Sequence, residues 1–371
     1  MCNNMDFRPT RAVINTAAIK HNAQQVVSYL PNETKLIAVV KADGYGHGVA
    51  EASSAALAAG AEMFAVATPD EALALRKHDP QTDILVLGPS PVSFAKYAAQ
   101  KNITVTVTSV VWAEKVGDLQ RFNKKCKVHV KIDSGMGRIG VRNETELARL
   151  IEAINQSENL SIDGTFTHFA RADEEGPEPT DLQFQKFMQL VDVFPEKPRL
   201  VHASNSAGTL IFPEYSLDAV RFGISLYGIA PSAVVAKKMP FKLQRAMTLE
   251  TELSYVKKVR AGEGISYGGK YITSENDWIG TLPIGYADGL KRALTGQEVI
   301  VGGRRVPIVG TICMDQCMVK LPHEFPEGEK VTLIGKQGDE EITMEEWAER
   351  LCTIPYEIAV MLSERIPRVY K

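Results

Sequence analysis

The chain has 371 residues, more than one hydrophobic core usually fills, so two domains are expected, one of them large. Its 42 basic residues against 45 acidic ones give a net charge of -3, with no basic block and no basic and aromatic interleaving, which argues against nucleic acid or an anionic membrane surface and leaves small-molecule work. Residues 1–10 hold no signal-peptide core and no run reaches the about 18 apolar residues of a membrane span, so a cytoplasmic protein is expected, and five cysteines do not suggest a disulfide framework.

Residues 16–30 read as a leading helix. Eight short β-branched or apolar runs follow, at 36–41, 63–68, 83–88, 103–108, 127–133, 162–168, 199–204 and 219–223, with helical patterns between them at 49–59, 71–77, 94–101, 144–155 and 181–193. This alternation predicts an α/β fold, an eight-stranded parallel (β/α)8 TIM barrel, over residues 1–241. An open doubly wound sheet is the competing fold, but the loop at Gly44 lacks the glycine spacing that fold requires. In Lys127-Val-His-Val-Lys-Ile-Asp133 the apolar face is Val128, Val130 and Ile132, so His129, Lys131 and Asp133 turn into the barrel. From about Phe241 the pattern changes to closely spaced strands, 247–260, 265–273, 278–282, 298–301, 306–312, 317–321 and 330–334, then two helices, 343–351 and 357–365. Residues 242–371 are therefore expected to form a mainly β C-terminal domain.

Lys41 closes an apolar run and precedes Ala-Asp-Gly-Tyr-Gly-His-Gly48. Desolvation there would lower its pKa and leave a neutral amine, a nucleophile or Schiff-base partner, while the glycines let the backbone of the loop approach a ligand. His168, His202 and Arg221 also lie near the carboxyl ends of their runs, the end at which such barrels assemble active sites. Asn205-Ser206-Ala-Gly208 opens a helix after the seventh run and Arg221-Phe-Gly-Ile-Ser225 follows the eighth, both suited to a phosphate. An amine and a phosphate cradle together fit pyridoxal 5'-phosphate, and a sugar-phosphate aldolase would use similar parts. Cys313 and Cys317, with His323 beyond, lack a second ligand pair, so no metal is expected.

The run Ala38-Val-Val-Lys-Ala-Asp-Gly-Tyr-Gly-His-Gly48 closely resembles the cofactor-lysine signature of alanine racemases. The resemblance continues through Lys131-Ile-Asp-Ser-Gly-Met-Gly-Arg-Ile-Gly140, His202 with Asn205-Ser206, Arg221-Phe-Gly-Ile224, Gly264-Ile-Ser-Tyr-Gly268, Cys313-Met-Asp-Gln316 and Thr353-Ile-Pro-Tyr-Glu357, in the family's order. It implies a head-to-tail homodimer with shared active sites, each joining one subunit's barrel to the other's β domain. By the same resemblance Lys41 holds the cofactor and is one catalytic base, and Tyr267 of the partner subunit is the other. His168 hydrogen-bonds that phenol, Arg221 faces the pyridine nitrogen and His202 orients Arg221. Tyr45, Asn205, Ser206, Gly223, Ile224 and Tyr356 resemble cofactor ligands, Arg138 and the Met314 amide resemble substrate-carboxylate ligands, and Lys131 resembles a lysine carbamylated by carbon dioxide. Some members carry an arginine where this chain has Thr311, with Tyr286 and Arg292 remaining as residues of an entrance corridor.

The expected function is a pyridoxal-phosphate racemase for alanine that feeds peptidoglycan synthesis. A broader or serine-directed racemase on the same scaffold is the alternative, since such pockets differ by side chains worth only about 1–3 kcal/mol. A basic amino-acid decarboxylase would place an acidic group at the cofactor nitrogen, against Arg221, and a single-domain cofactor carrier would lack the β domain.

Overall fold

Parallel strands covered on both faces need nearly continuous apolar runs, and the run from Leu36 forms such a strand, Lys35–Val39, with four of its five residues buried. It is the first of eight parallel strands, followed by Met63–Val66, Asp83–Pro89, Ile103–Val107, Cys126–Lys131, Leu160–Phe166, Leu200–His202 and Ala219–Phe222. Hydrogen-bonded ladders join the first seven strands in chain order, and the eighth pairs back to the first. The Asp218 N–H donates to Val201 O (3.1 Å) and the Arg221 N–H to Ser204 O (3.0 Å), bridging the seventh and eighth strands. The sheet is thus a closed (β/α)8 barrel. The computed structural model describes residues 7–31 and 33–371.

The helices start where the sequence offers caps. Thr68 and Glu71 form a capping box at Pro69–His78, and Asn143 caps Glu144–Gln156. Helix Val110–Gly117 lies outside the expected elements; Ser109 caps it by accepting from the Trp112 N–H.

Ala17–Arg245 forms the barrel unit, and the second unit draws on both ends of the chain, residues 7–16 with Ala246–Lys371. These units differ from the expected division into 1–241 and 242–371: the junction lies at 245/246, and residues 7–16 join the second unit. Strand Arg11–Ile14 pairs antiparallel with Met247–Glu252 and parallel with Arg368–Tyr370. Its Ala12, Val13 and Ile14 are buried there, and the hydroxyls of Thr10 and Thr251 meet at 2.8 Å.

The expected strand 247–260 breaks at Leu253 and Ser254, and its halves pair with different neighbours, Met247–Glu252 with Lys330–Gln337 and Tyr255–Val259 with Asp277–Leu282. The expected strand 265–273 also fails as one element. It is a two-residue hairpin arm on each side, Gly264–Ile265 and Tyr271–Ile272, with the turn Tyr267–Gly269 between them. Among the described residues no helix is long and apolar enough to cross a membrane.

Candidate active site

Lys41 stands at the carboxyl end of the first barrel strand, and the residues after it, Ala42, Asp43, Gly44 and Tyr45, all have left-handed backbone (φ 51°, 52°, 60° and 52°). For residues with a Cβ this conformation costs about 1–2 kcal/mol each, so the turn must be held. Glu71 holds it: one carboxylate oxygen accepts from the Ala42 N–H (2.8 Å) and the other from the Ala67 N–H (2.7 Å). Asp43 accepts from the Val49 N–H on the far side (2.8 Å). Burial lowers the Lys41 pKa, the Arg138 cation lowers it further, and Glu71 partly opposes them. Glu71 was missed from sequence, although its place three residues after Thr68 is a recognisable capping signal.

Across the rim lies the cradle. Ser206 and Ile224 head the helical turns Ser206–Ile211 and Ile224–Tyr227, and the first amides of such turns have no acceptor within them. Buried Ser206 accepts from the Gly223 N–H through its hydroxyl (2.9 Å), tying the two turns together. A Cβ on Gly223 would lie 2.8 Å from the Tyr45 hydroxyl, so Tyr45 closes the same pocket. Asn205 serves the fold, accepting from the Gly208 N–H (3.0 Å) and donating to Phe169 O (3.2 Å).

Arg221 is fully enclosed between these elements. Its NH1 donates to His202 Nδ1 (2.6 Å), and its NH2 donates to Thr167 O and Ala203 O (2.7 Å each) and lies 3.4 Å from His168 Nδ1. Among the described residues the two terminal nitrogens take every protein partner of the guanidinium, leaving Nε–H as the spare donor. Burial, then the neighbouring Arg138, pulls its pKa down to about 9, so it remains a cation at neutral pH. Because a guanidinium only donates, the facing Nδ1 atoms of His202 and His168 accept, and each neutral ring carries its proton on Nε2. Burial and the cations Arg221, Lys131, Arg138 and Lys41 hold His168 well below its usual range.

Lys131 is buried, with its ammonium position 4.7 Å from the Phe166 ring centroid. Burial, then Arg221 and Arg138, push its pKa well down, which favours the neutral amine. Asp133 accepts from the N–H groups of Gly135 (3.1 Å) and Gly137 (2.9 Å), shaping the loop that presents exposed Arg138. The barrel end therefore gathers the amines of Lys41 and Lys131 and the guanidinium cations of Arg138 and Arg221, a pocket suited to a phosphate and a carboxylate.

The β unit carries Tyr267, Met314 and Tyr356. Tyr267 is 73 % exposed and Met314 53 %, and both line an open concavity of ≈ 700 Å³ with Ser266, Cys313 and Gln316. Ser266 has φ +65°, and its hydroxyl donates to Thr311 O (2.5 Å), while Thr311 Oγ1 donates to Tyr267 O (3.1 Å). Thr311 thus clamps the turn bearing Tyr267. The Met314 carbonyl is taken by the Ala287 N–H (3.0 Å). Tyr356 lies in helix Pro355–Val360 and is half-buried. Tyr286 and Arg292 are exposed. Among the described residues no group of three His, Cys, Asp or Glu side chains could hold a metal ion.

Known proteins match nearly the whole of this chain. The family model of the alanine racemase N-terminal domain covers residues 14–231 and that of the C-terminal domain covers residues 246–370. The alanine racemase of Geobacillus kaustophilus is 45% identical over 98% of this chain and 94% of its own length. The alanine racemase of Bacillus anthracis, solved with bound L-Ala-P, superposes with a TM-score of 0.96 at 42% identity, covering 98% of this chain and 95% of that one. A histidine racemase from Leuconostoc mesenteroides superposes with a TM-score of 0.93 at 30% identity, covering 99% of both chains.

Proposed function

The chain belongs to the alanine racemase family of pyridoxal-phosphate-dependent isomerases, and from that premise we propose that it interconverts L-alanine and D-alanine by a two-base mechanism in a shared-site homodimer. The observation that carries this reading is the buried cation Arg221 at the barrel rim, whose terminal nitrogens are filled by protein while its Nε–H has no partner among the described residues. The residues present suit the cofactor. Ser206, Gly223, Ile224, Tyr45 and Tyr356 would hold its phosphate, Arg221 Nε–H would meet its pyridine nitrogen, and Lys41 would hold its aldehyde carbon. When bound, the cofactor supplies the electron sink that makes the α-proton of an amino acid removable.

Inverting a stereocentre requires a proton to leave one face and another to arrive on the opposite face, so two proton carriers are needed. Lys41 Nζ is one, its pKa lowered by burial and Arg138. The partner subunit's Tyr267 is the other, and a phenol serves as a base only where its phenolate is stabilised. His168 offers the means, since its Nε2–H can donate to a phenolate while its Nδ1 faces Arg221. Arg138, with the Met314 amide of the partner subunit, would bind the substrate carboxylate. Carbamylation of the neutral Lys131 amine, forming an N–C bond to carbon dioxide with loss of one proton, would turn an uncharged neighbour of Arg138 into an attracting anion, where an ammonium would repel it. A carbamate carbon signal after exchange with 13C-bicarbonate checks that step, and its absence rules it out.

Arg221 stays protonated at neutral pH even with its pKa lowered, so the cofactor ring would remain a weaker sink than one paired with a carboxylate, favouring racemisation over transamination. Arg221→Glu should raise the transamination share, and an unchanged partition would refute the electronic role. The product D-alanine would feed peptidoglycan in the cytoplasm. The deciding assay follows both directions of alanine interconversion beside serine, histidine, lysine and ornithine, with carbon dioxide monitored. Histidine belongs in it because of the Leuconostoc likeness, and serine as the broader alternative. Fast alanine turnover without carbon dioxide supports the reading; carbon dioxide from a basic amino acid refutes it.

A further inference from the structure

His129, Asp163 and Arg199 have no part in the chemistry above, yet they extend the Arg221–His202 contact through the barrel interior. His202 Nε2 lies 3.0 Å from His129 Nδ1, and His129 Nε2 lies 3.2 Å from Asp163 Oδ2. Asp163 in turn accepts two bonds from Arg199, from Nε (2.9 Å) and NH2 (2.7 Å). Both histidines are fully buried, and Arg199 reaches solvent just before the seventh strand. The contacts thus run from the site to the opposite end of the barrel.

The polarity of this chain is set at both ends. Arg221 can only donate, so His202 Nδ1 accepts and its proton sits on Nε2. That proton is donated to His129 Nδ1, which places the His129 proton on Nε2 also. The Asp163 carboxylate, which only accepts, receives it. Burial, aided by nearby arginines, lowers the pKa of both rings, although the Asp163 bond opposes this at His129, so the chain is one of neutral imidazoles.

The backbone is shaped to permit it. In the ladder between Cys126–Lys131 and Leu160–Phe166, Val128 faces Ile162 but His129 faces Gly164, so Asp163 is the extra residue of a bulge. Bulges re-aim side chains, and here the bulge turns a carboxylate onto His129. A Cβ on Gly164 would stand 2.6 Å from His129 Nε2 and 2.7 Å from Leu200 O, so glycine leaves the imidazole its space.

We propose that His129 and Asp163 are positioning residues of this enzyme, an ordered relay that fixes the ring plane and tautomer of His202 and so keeps Arg221 Nε–H turned to the cofactor. The proposal rests on the reading that Arg221 serves the pyridine nitrogen. The test uses the cofactor-loaded enzyme labelled with 15N in its seven histidines and in the pyridine ring, comparing wild type, Asp163→Leu, Asp163→Asn and Arg199→Gln by long-range 1H–15N correlation.

Wild type should show His129 and His202 as neutral Nε2–H tautomers with hydrogen-bonded Nδ1. Asp163→Leu should shift the Nδ1 resonance of His202, which Asp163 does not touch, together with the pyridine nitrogen. Asp163→Asn, which retains an acceptor without the charge, should shift both less, and Arg199→Gln, which leaves the carboxylate, should shift neither. A protonated or opposite tautomer in wild type, or a His202 signal indifferent to both Asp163 variants, would overturn the relay. A His202 shift without a pyridine shift would instead overturn the placement of Arg221 at the cofactor nitrogen while the relay stood.

Discussion

Gly223→Ala isolates the phosphate cradle from the rest of the site. The added Cβ would sit 2.8 Å from the Tyr45 hydroxyl, and ordinary contact begins at 3.4 Å, so the phenol must retreat by 0.6 Å (3.4 − 2.8). Tyr45 is 7 % exposed and packs on Tyr227 with ring centroids 5.2 Å apart, so little room exists for that movement. Overpacking a close-packed site by one methyl costs about 1–3 kcal/mol. If the Tyr45 hydroxyl and the Gly223 and Ile224 backbone face the phosphate, the cost falls on cofactor affinity. At 1.4 kcal/mol per tenfold, the dissociation constant for pyridoxal 5'-phosphate should rise about 5- to 150-fold. The assay titrates the cofactor-free protein with pyridoxal 5'-phosphate and, separately, with pyridoxal, which lacks the phosphate. Pyridoxal affinity should be unchanged, and the cofactor-free protein should melt within a few degrees of wild type. Equal weakening of both compounds, or of neither, would refute the assignment of the cradle.

Mixing inactive Lys41→Ala and Tyr267→Phe proteins should restore roughly a quarter of wild-type activity, because half of random dimers are hybrids with one intact site of two; no recovery on subunit exchange would refute shared sites. Glu71→Gln supplies one acceptor oxygen where the carboxylate uses two, at a cost of about 1–3 kcal/mol visible as a lower melting temperature. It also removes the anion that raises the Lys41 pKa. The acid limb of the pH profile of kcat/KM should therefore move to lower pH, and an upward move would refute the assignment. In the β unit, burial works to raise the Glu250 pKa, but bonds from Lys330 (2.6 Å) and Arg11 (2.7 Å) prevail and lower it. A carboxyl with a depressed folded-state pKa contributes stability above its unfolded value and loses it as pH falls through the folded one. Glu250→Gln should thus destabilise the protein at pH 7 and progressively less below about pH 4.5, and a pH-independent difference in melting would count against the ion pairs.

The barrel was legible because its strands are short β-branched or apolar runs alternating with helical patterns, and Lys41 because an ammonium ending such a run is conspicuous. Its neighbours at the rim followed from the same register. What escaped notice depends on pairings distant in sequence. Arg-Ala-Val-Ile at 11–14 is too short to announce a strand, and becomes one only between Met247–Glu252 and Arg368–Tyr370. Asp163 reads as an ordinary polar position until the bulge turns it inward. Strand 265–273 failed for a local reason, since the left-handed backbone at Ser266 and Gly268 interrupts an otherwise strand-like pattern.

The pairing of Arg11–Ile14 between those two strands also sets an order of events on the ribosome. Domains generally fold as units as they emerge, N-terminal first. Here the first strand to appear finds no partner until the whole barrel and then Met247–Glu252 have been made, and its second edge stays open until Arg368–Tyr370 follows. The barrel can close while its leading segment is still unpaired. A nascent chain stalled before its last strand would carry that exposed edge, the feature by which unfinished β structure is drawn into aggregates or recognised for removal.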